Sequence, residues 1–183
     1  MWIFHPDTEN NREIGFIFYP GGKVEESAYS LLLRELSQHG ITCVLVQMPF
    51  KLAVFDIDAA DRVYAELPDI KTWIIGGHSL GGAMASSYAN DNSDKIDGLV
   101  LLGAYPVENN AMPTLAIYGS EDLVLDKTKL ASTQNQYEIE GGNHAYFGNY
   151  GEQKGDGTAT ITRQQQQQIT VEKAAAFIMD LNQ

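Results

Sequence analysis

A three-layer α/β fold is expected, with helices flanking a mostly parallel sheet of about six to seven strands, in one domain spanning residues 1–183. Three observations point to it. Short apolar runs rich in β-branched and aromatic residues recur along the chain, each short enough to be a strand buried on both faces. Stretches with helical spacing of apolar residues separate them, and strands alternating with helices imply right-handed parallel crossovers. Glycine- and proline-containing breakers follow several of the runs, so loops gather at the carboxyl ends of strands, where such sheets keep their functional residues.

Taken in order, residues 1–4 read as a first short strand and residues 5–11 as a polar turn. Ile14 to Tyr19 is a near-continuous apolar run that stops at Pro20-Gly21-Gly22-Lys23. Residues 25–39 place Tyr29, Leu32, Leu33 and Leu36 on one helical face, and Gly40 suits the position just past a helix end. Residues 41–47 form the next buried strand. The loop 48–52 is unusually apolar, and either packs as core edge or lines a pocket. Residues 56–67 form a short helix ended by Pro68. The strand over 72–76 follows, then a helix over 80–89 and a strand over 96–102. Another strand covers 113–118, a helical turn 125–130 and a last strand 136–140. Residues 145–160 read as an ordered, glycine-rich loop. A C-terminal helix covers 162–181, and the five glutamines Gln164 to Gln168 fit a solvated beginning to it.

Composition narrows the function. The net charge is −12 and no lysine/arginine cluster is present, which argues against nucleic acid and anionic membrane surfaces as partners. Cys43 is the one cysteine, so no internal disulfide and no multi-cysteine metal site exists; it reads as a buried strand thiol. No apolar run approaches the roughly 18 residues of a membrane span, and no signal peptide is visible in the sequence. A cytoplasmic location is expected, with an extracytoplasmic, anchored full-length form as the alternative. No metal or cofactor is expected.

One motif carries chemistry. Gly77-His78-Ser79-Leu80-Gly81 is a Gly-x-Ser-x-Gly pattern between the strand at 72–76 and a helix of small residues. A serine at the tip of such a turn presents its Oγ to a pocket, and the N–H that follows it lies at a helix N-terminus, suited to an oxyanion. Serine needs a base, and an imidazole needs an orienting carboxylate. Histidines are His5, His39, His78 and His144; of these His144 lies late, just past a strand, in a glycine-rich loop. Asp122 follows the strand at 113–118, with Glu121 and Asp126 as its competitors. The order Ser79, Asp122, His144 is the order expected of an α/β-hydrolase. Leu80 and either Gly22 or Lys23 are the candidate backbone donors of an oxyanion hole.

With these residues assembled, the chain resembles the α/β-hydrolase superfamily, specifically its small, lidless fold-5 group, related loosely to dienelactone hydrolases. The resemblance is carried by YPGGKV at 19–24, MPFKLAVF at 48–55, GGHSLGGAMA at 76–85, YGSEDLV at 118–124, GGNHAYFGNYG at 141–151 and GDGTATI at 155–161. It implies an α/β-hydrolase fold without a cap domain, with Ser79 as nucleophile, Asp122 as acid and His144 as base. It departs from dienelactone hydrolases, which carry cysteine at the elbow.

The expected activity is cleavage of a small ester or thioester through an acyl-enzyme, with a small-molecule acyl substrate as partner. Met48, Phe50, Tyr105, Tyr146 and Phe147 are the candidate pocket residues, and Lys23 either attracts an anionic acyl group or is simply solvated. Two other readings stand beside it: a non-catalytic or regulatory binding module on the same fold, and a peptidase or acyltransferase using the same three residues.

Overall fold

The architecture is that of a computed structural model that describes residues 1–7, 13–107 and 112–181. Most of the expected turn at 5–11 lies outside the described residues. Seven strands form one sheet: β1 (Trp2–Phe4), β2 (Ile14–Tyr19), β3 (Ile41–Leu45), β4 (Thr72–His78), β5 (Gly98–Leu102), β6 (Thr114–Gly119) and β7 (Asn135–Ile139). Their spatial order is β1-β3-β2-β4-β5-β6-β7. All pairs are parallel except β1 with β3, where Trp2 faces Leu45 and Phe4 faces Cys43. Among the described residues four α-helices flank the sheet: α1 (Ser30–Ser37), α2 (Asp61–Glu66), α3 (Leu80–Asp91) and α4 (Arg163–Asp180).

The strand alternation sorts side chains into two cores. Ile14, Phe16 and Phe18 of β2 face the layer that holds Leu32, Leu33 and Leu36 of α1 and Val171, Ala174 and Ile178 of α4. Ile17 and Tyr19 of the same strand face the layer that holds Val63 of α2 and Ala85, Tyr88 and Ala89 of α3. Each fully buried aliphatic side chain contributes about 1.5–3 kcal/mol, so the sheet sandwiched by helices on both faces is what holds the edge loops in place. Cys43 lies wholly within the first core, and burial pushes its thiol well above the usual range.

Three expectations are corrected. The helix at 25–39 splits into a 3-10 turn, Glu26–Tyr29, and α1, with Tyr29 at the junction in non-helical geometry. The helix at 56–67 likewise opens as a 3-10 turn, Ile57–Ala60. The glutamine run is not a solvated beginning throughout. Thr162 and Gln165 form a reciprocal capping box at the start of α4, but Gln166 is 0% exposed and Gln167 is buried beside it. Gln166 Oε1 accepts from Asn143 N–H at 3.0 Å and its Nε2 donates to Asn143 C=O at 2.7 Å. A glutamine serves here because its amide matches both backbone groups of one residue, which an apolar side chain would leave unpaired.

Candidate active site

Parallel strands end on one edge of the sheet, and this edge collects the chemistry. β4 runs into α3 through Ser79, which has φ 53 and ψ −122. A positive φ costs a non-glycine residue roughly 1–3 kcal/mol, which persists only when the surroundings enforce it. They do so here: Ser79 N–H donates to Leu102 C=O at 2.9 Å, and the turn is too tight for side chains on its glycines. A Cβ on Gly81 would lie 2.2 Å from Pro20 O and 2.3 Å from Tyr19 O, and one on Gly77 would lie 2.5 Å from Tyr19 O. These obstacles are backbone, so they cannot swing aside. Gly81→Ala is therefore expected to destabilise the fold by about 3 kcal/mol, read as a lowered midpoint in urea unfolding; an unchanged midpoint would contradict the packing described.

Asp122 and His144 follow β6 and β7 and meet at that edge. His144 Nδ1–H donates to Asp122 Oδ2 at 2.8 Å, with the two residues 1% and 2% exposed. Asp122 Oδ1 accepts from the N–H groups of Val124 and Leu125, both at 2.9 Å, so both carboxylate oxygens have fixed partners. The competing acids do other work: Glu121 accepts from the Ser120 hydroxyl, and Asp126 caps the Lys127–Leu130 turn through Thr128. Gly103, at φ 52 past the end of β5, leaves the room this pair occupies; a Cβ there would stand 2.9 Å from His144 Nδ1.

The loop that carries His144 is secured from behind. Asp156 accepts from His144 N–H at 3.1 Å and from Ala145 N–H at 2.8 Å. Asn143 is gripped by Gln166, as above, and donates from its side chain to Gly157 C=O. Asp156 lies in the glycine-rich segment read only as an ordered loop; its role was not visible because its partners, the N–H groups of His144, Ala145 and Gly157, are all backbone.

With Nδ1 protonated, His144 Nε2 carries the lone pair. That atom is buried and has no hydrogen-bond partner among the described residues, Ser79 included. His144 and Ser79 nonetheless line the same cavity of about 310 Å³. Its walls include Leu80, Ala83, Ala104, Tyr105 and Leu125. Of the pocket candidates, Tyr105 is in this lining. Met48 and Phe147 are buried in the two cores, Tyr146 lies under the Arg163 guanidinium, and Phe50 projects to solvent at 85% exposure. Ala83, Val124 and Leu125 line the cavity but were not anticipated, since short apolar residues carry no individual signal.

The loop after β2 adds backbone donors. Lys23 N–H is committed to Lys51 C=O at 2.8 Å, whereas no acceptor among the described residues takes the N–H of Gly22 or of Leu80. Those two residues are neighbours: a Cβ on Gly22 would lie 2.9 Å from Leu80 Cδ2. Lys23 itself is exposed. The edge thus brings together a strained serine, a buried acid–imidazole pair and uncommitted N–H groups, an arrangement able to support acyl transfer.

The comparisons with known proteins agree on the architecture. A monoacylglycerol lipase from Paleococcus ferrophilus superposes with a TM-score of 0.70 at 13% identity, over 96% of this chain and 98% of that one. A dienelactone hydrolase from Anabaena variabilis gives 0.69 at 17% identity, over 97% and 89% of the two chains. Est1E from Butyrivibrio proteoclasticus, solved with ferulic acid bound, gives 0.68 at 15% identity, over 97% and 94%. At these identities the likeness shows the fold. No curated protein matches the sequence. Among the described residues no helix is long and apolar enough to cross a membrane, and no separate cap covers the carboxyl edge of the sheet. The alpha/beta hydrolase family model matches residues 15–168, and the chain belongs to that family.

Proposed function

We propose that the protein is a serine hydrolase that cleaves a small ester or thioester through an acyl-enzyme formed on Ser79. The observation that carries this reading is the buried His144–Asp122 pair, whose unpartnered Nε2 belongs to a residue lining the same cavity as Ser79.

On substrate binding, Ser79 Oγ attacks the acyl carbonyl carbon and His144 Nε2 takes the hydroxyl proton. Asp122 holds the imidazole in the tautomer that leaves Nε2 free and stabilises the imidazolium that forms. The tetrahedral oxyanion is received by the N–H groups of Leu80 and Gly22; Gly22 is favoured over Lys23 because Lys23 N–H is already bonded. His144 then passes its proton to the departing alkoxide or thiolate. In the second half, water loses a proton to His144 as its oxygen attacks the acyl carbon, and Ser79 leaves with that proton. The resting gap between Nε2 and Ser79 is in keeping with unliganded sites, whose catalytic hydrogen bonds tighten when substrate arrives. The cavity size and its alanine and leucine walls favour a short apolar acyl or alcohol group.

The test is fluorophosphonate labelling together with turnover of a panel of p-nitrophenyl esters and thioesters. A single adduct on Ser79 and turnover of short-chain esters are expected. Labelling of Ser79→Ala as strong as wild type would sink the assignment, and absence of turnover across the panel would favour a binding module.

A further inference from the structure

His78 and Tyr29 are the buried polar pair that this mechanism leaves without a task. His78 lies one residue before Ser79, 1% exposed, and Tyr29 is wholly buried. Tyr29 Oη lies 2.8 Å from His78 Nδ1 and accepts from Gly21 N–H at 3.1 Å. Tyr29 Oη can accept and donate at once, and no other described group takes its proton, so the tautomer that pairs this buried hydroxyl has His78 Nδ1 as acceptor and the ring proton on Nε2. Burial, then the neighbouring His144, hold His78 well below the usual histidine range, with a weaker opposing pull from the His144 backbone. Its Nε2 is outside hydrogen-bond geometry with any described group. The ring is fixed by packing: His144 at 4.6 Å, Phe147 at 5.6 Å and Tyr29 at 5.7 Å between ring centres.

The consequence falls on Gly22. The peptide that bears its N–H has its carbonyl, Gly21 O, taken by Val24 N–H at 3.2 Å. The following N–H, of Lys23, is taken by Lys51 C=O. The preceding N–H, of Gly21, is taken by Tyr29 Oη. Three bonds therefore hold the loop around one uncommitted donor, and Tyr29 is the one side chain among them. A Cβ on Gly21 would lie 2.7 Å from Tyr29 Oη and 2.9 Å from His78 Nδ1, so the loop sits directly on the pair.

We infer that Tyr29 and His78 are positioning residues that set the Gly22 N–H against the Ser79 elbow, so that the oxyanion donor and the nucleophile are located by one strut. The inference rests on the hydrolase reading above. A strut rooted in the residue before the nucleophile fixes the donor relative to the reacting carbon, where displacements well under 1 Å matter. A buried hydrogen bond also costs more to break than it contributes when made, so the strut resists deformation.

The test is steady-state kinetics on Tyr29→Phe, His78→Leu and His78→Asn, with an ester that the wild type turns over. Tyr29→Phe and His78→Leu are expected to lower kcat about tenfold with KM within about twofold, less than the 10²–10³ lost when an oxyanion donor is removed outright. Affinity for a trifluoromethyl ketone, which forms the tetrahedral adduct, is expected to fall by the same factor. His78→Asn, whose side-chain oxygen can take the place of Nδ1 as acceptor, is expected to recover most of the loss. Side-chain nitrogen NMR of the wild type is expected to show His78 protonated on Nε2 alone. Wild-type turnover with Tyr29→Phe and His78→Leu both within about twofold in kcat would overturn the strut and leave the hydrolase reading standing. No turnover by the wild type would overturn both readings. Equal losses in all three variants that track a loss of folded protein would show a structural role only, and would also overturn it.

Discussion

Replacing Ser79 with alanine is expected to lower ester turnover by on the order of 10⁶-fold, the scale seen when the nucleophile of a serine–histidine–aspartate unit is removed. The residual rate comes from binding and the oxyanion donors alone. The fold is expected to survive, because the Ser79 side chain caps nothing in α3 and its backbone bond to Leu102 remains. Kinetics with thermal unfolding as control checks both halves. A kcat within tenfold of wild type, with the protein folded, would mean that another group forms the acyl-enzyme or that none is formed.

Asp122→Asn is expected to cost about 10⁴ in kcat while preserving shape. The carboxamide has nearly the volume of the carboxylate, and its orientation is dictated by its neighbours. Val124 and Leu125 N–H groups require an acceptor where Oδ1 lies, so the amide oxygen goes there. The NH₂ is then left against His144 Nδ1, where the aspartate oxygen accepted a hydrogen bond at 2.8 Å. Two donors cannot face each other, so the imidazole moves its proton to Nε2 and loses the lone pair that a base needs. The loss is therefore expected in kcat, with fluorophosphonate labelling slowed to match and unfolding little changed. Labelling at the wild-type rate would show that Asp122 does not set the tautomer.

Much of the fold and part of the site were legible because they rest on local pattern. Apolar runs such as 14–19 and 41–47 are too short and too continuous to be anything but buried strands in an alternating chain, and they hold β2 and β3, the second ending at Leu45. Small residues after Ser79 anticipated a helix pressed on the sheet, and a Cβ on Gly82 of α3 would lie 2.9 Å from Gly77 O of β4. Tyr29 was read as one more face of a helix because periodicity reports which side is buried and is blind to a hydroxyl's partner. The glutamines misled for a related reason: composition assigns them to water, but Asn143 arrives from another part of the chain and supplies the bonds that water would have made.

The sequence by itself determined the order of strands and helices, the strained elbow at Ser79 and the set of acids from which one would reach His144. Each of these follows from short-range chemistry: side-chain periodicity, and glycines where a tight turn admits no Cβ. The sequence already favoured Asp122 over Glu121 and Asp126 as the acid, but only the tertiary structure shows its carboxylate on the imidazole while Ser120 and Thr128 engage the other two. The tertiary structure also decided that Lys23 spends its N–H on Lys51 while Gly22 keeps its own, and that Tyr29 and His78 stand beneath that loop. Those outcomes depend on which groups, distant in the chain, arrive with an unfilled hydrogen bond at the same few ångströms, and no local pattern encodes that meeting.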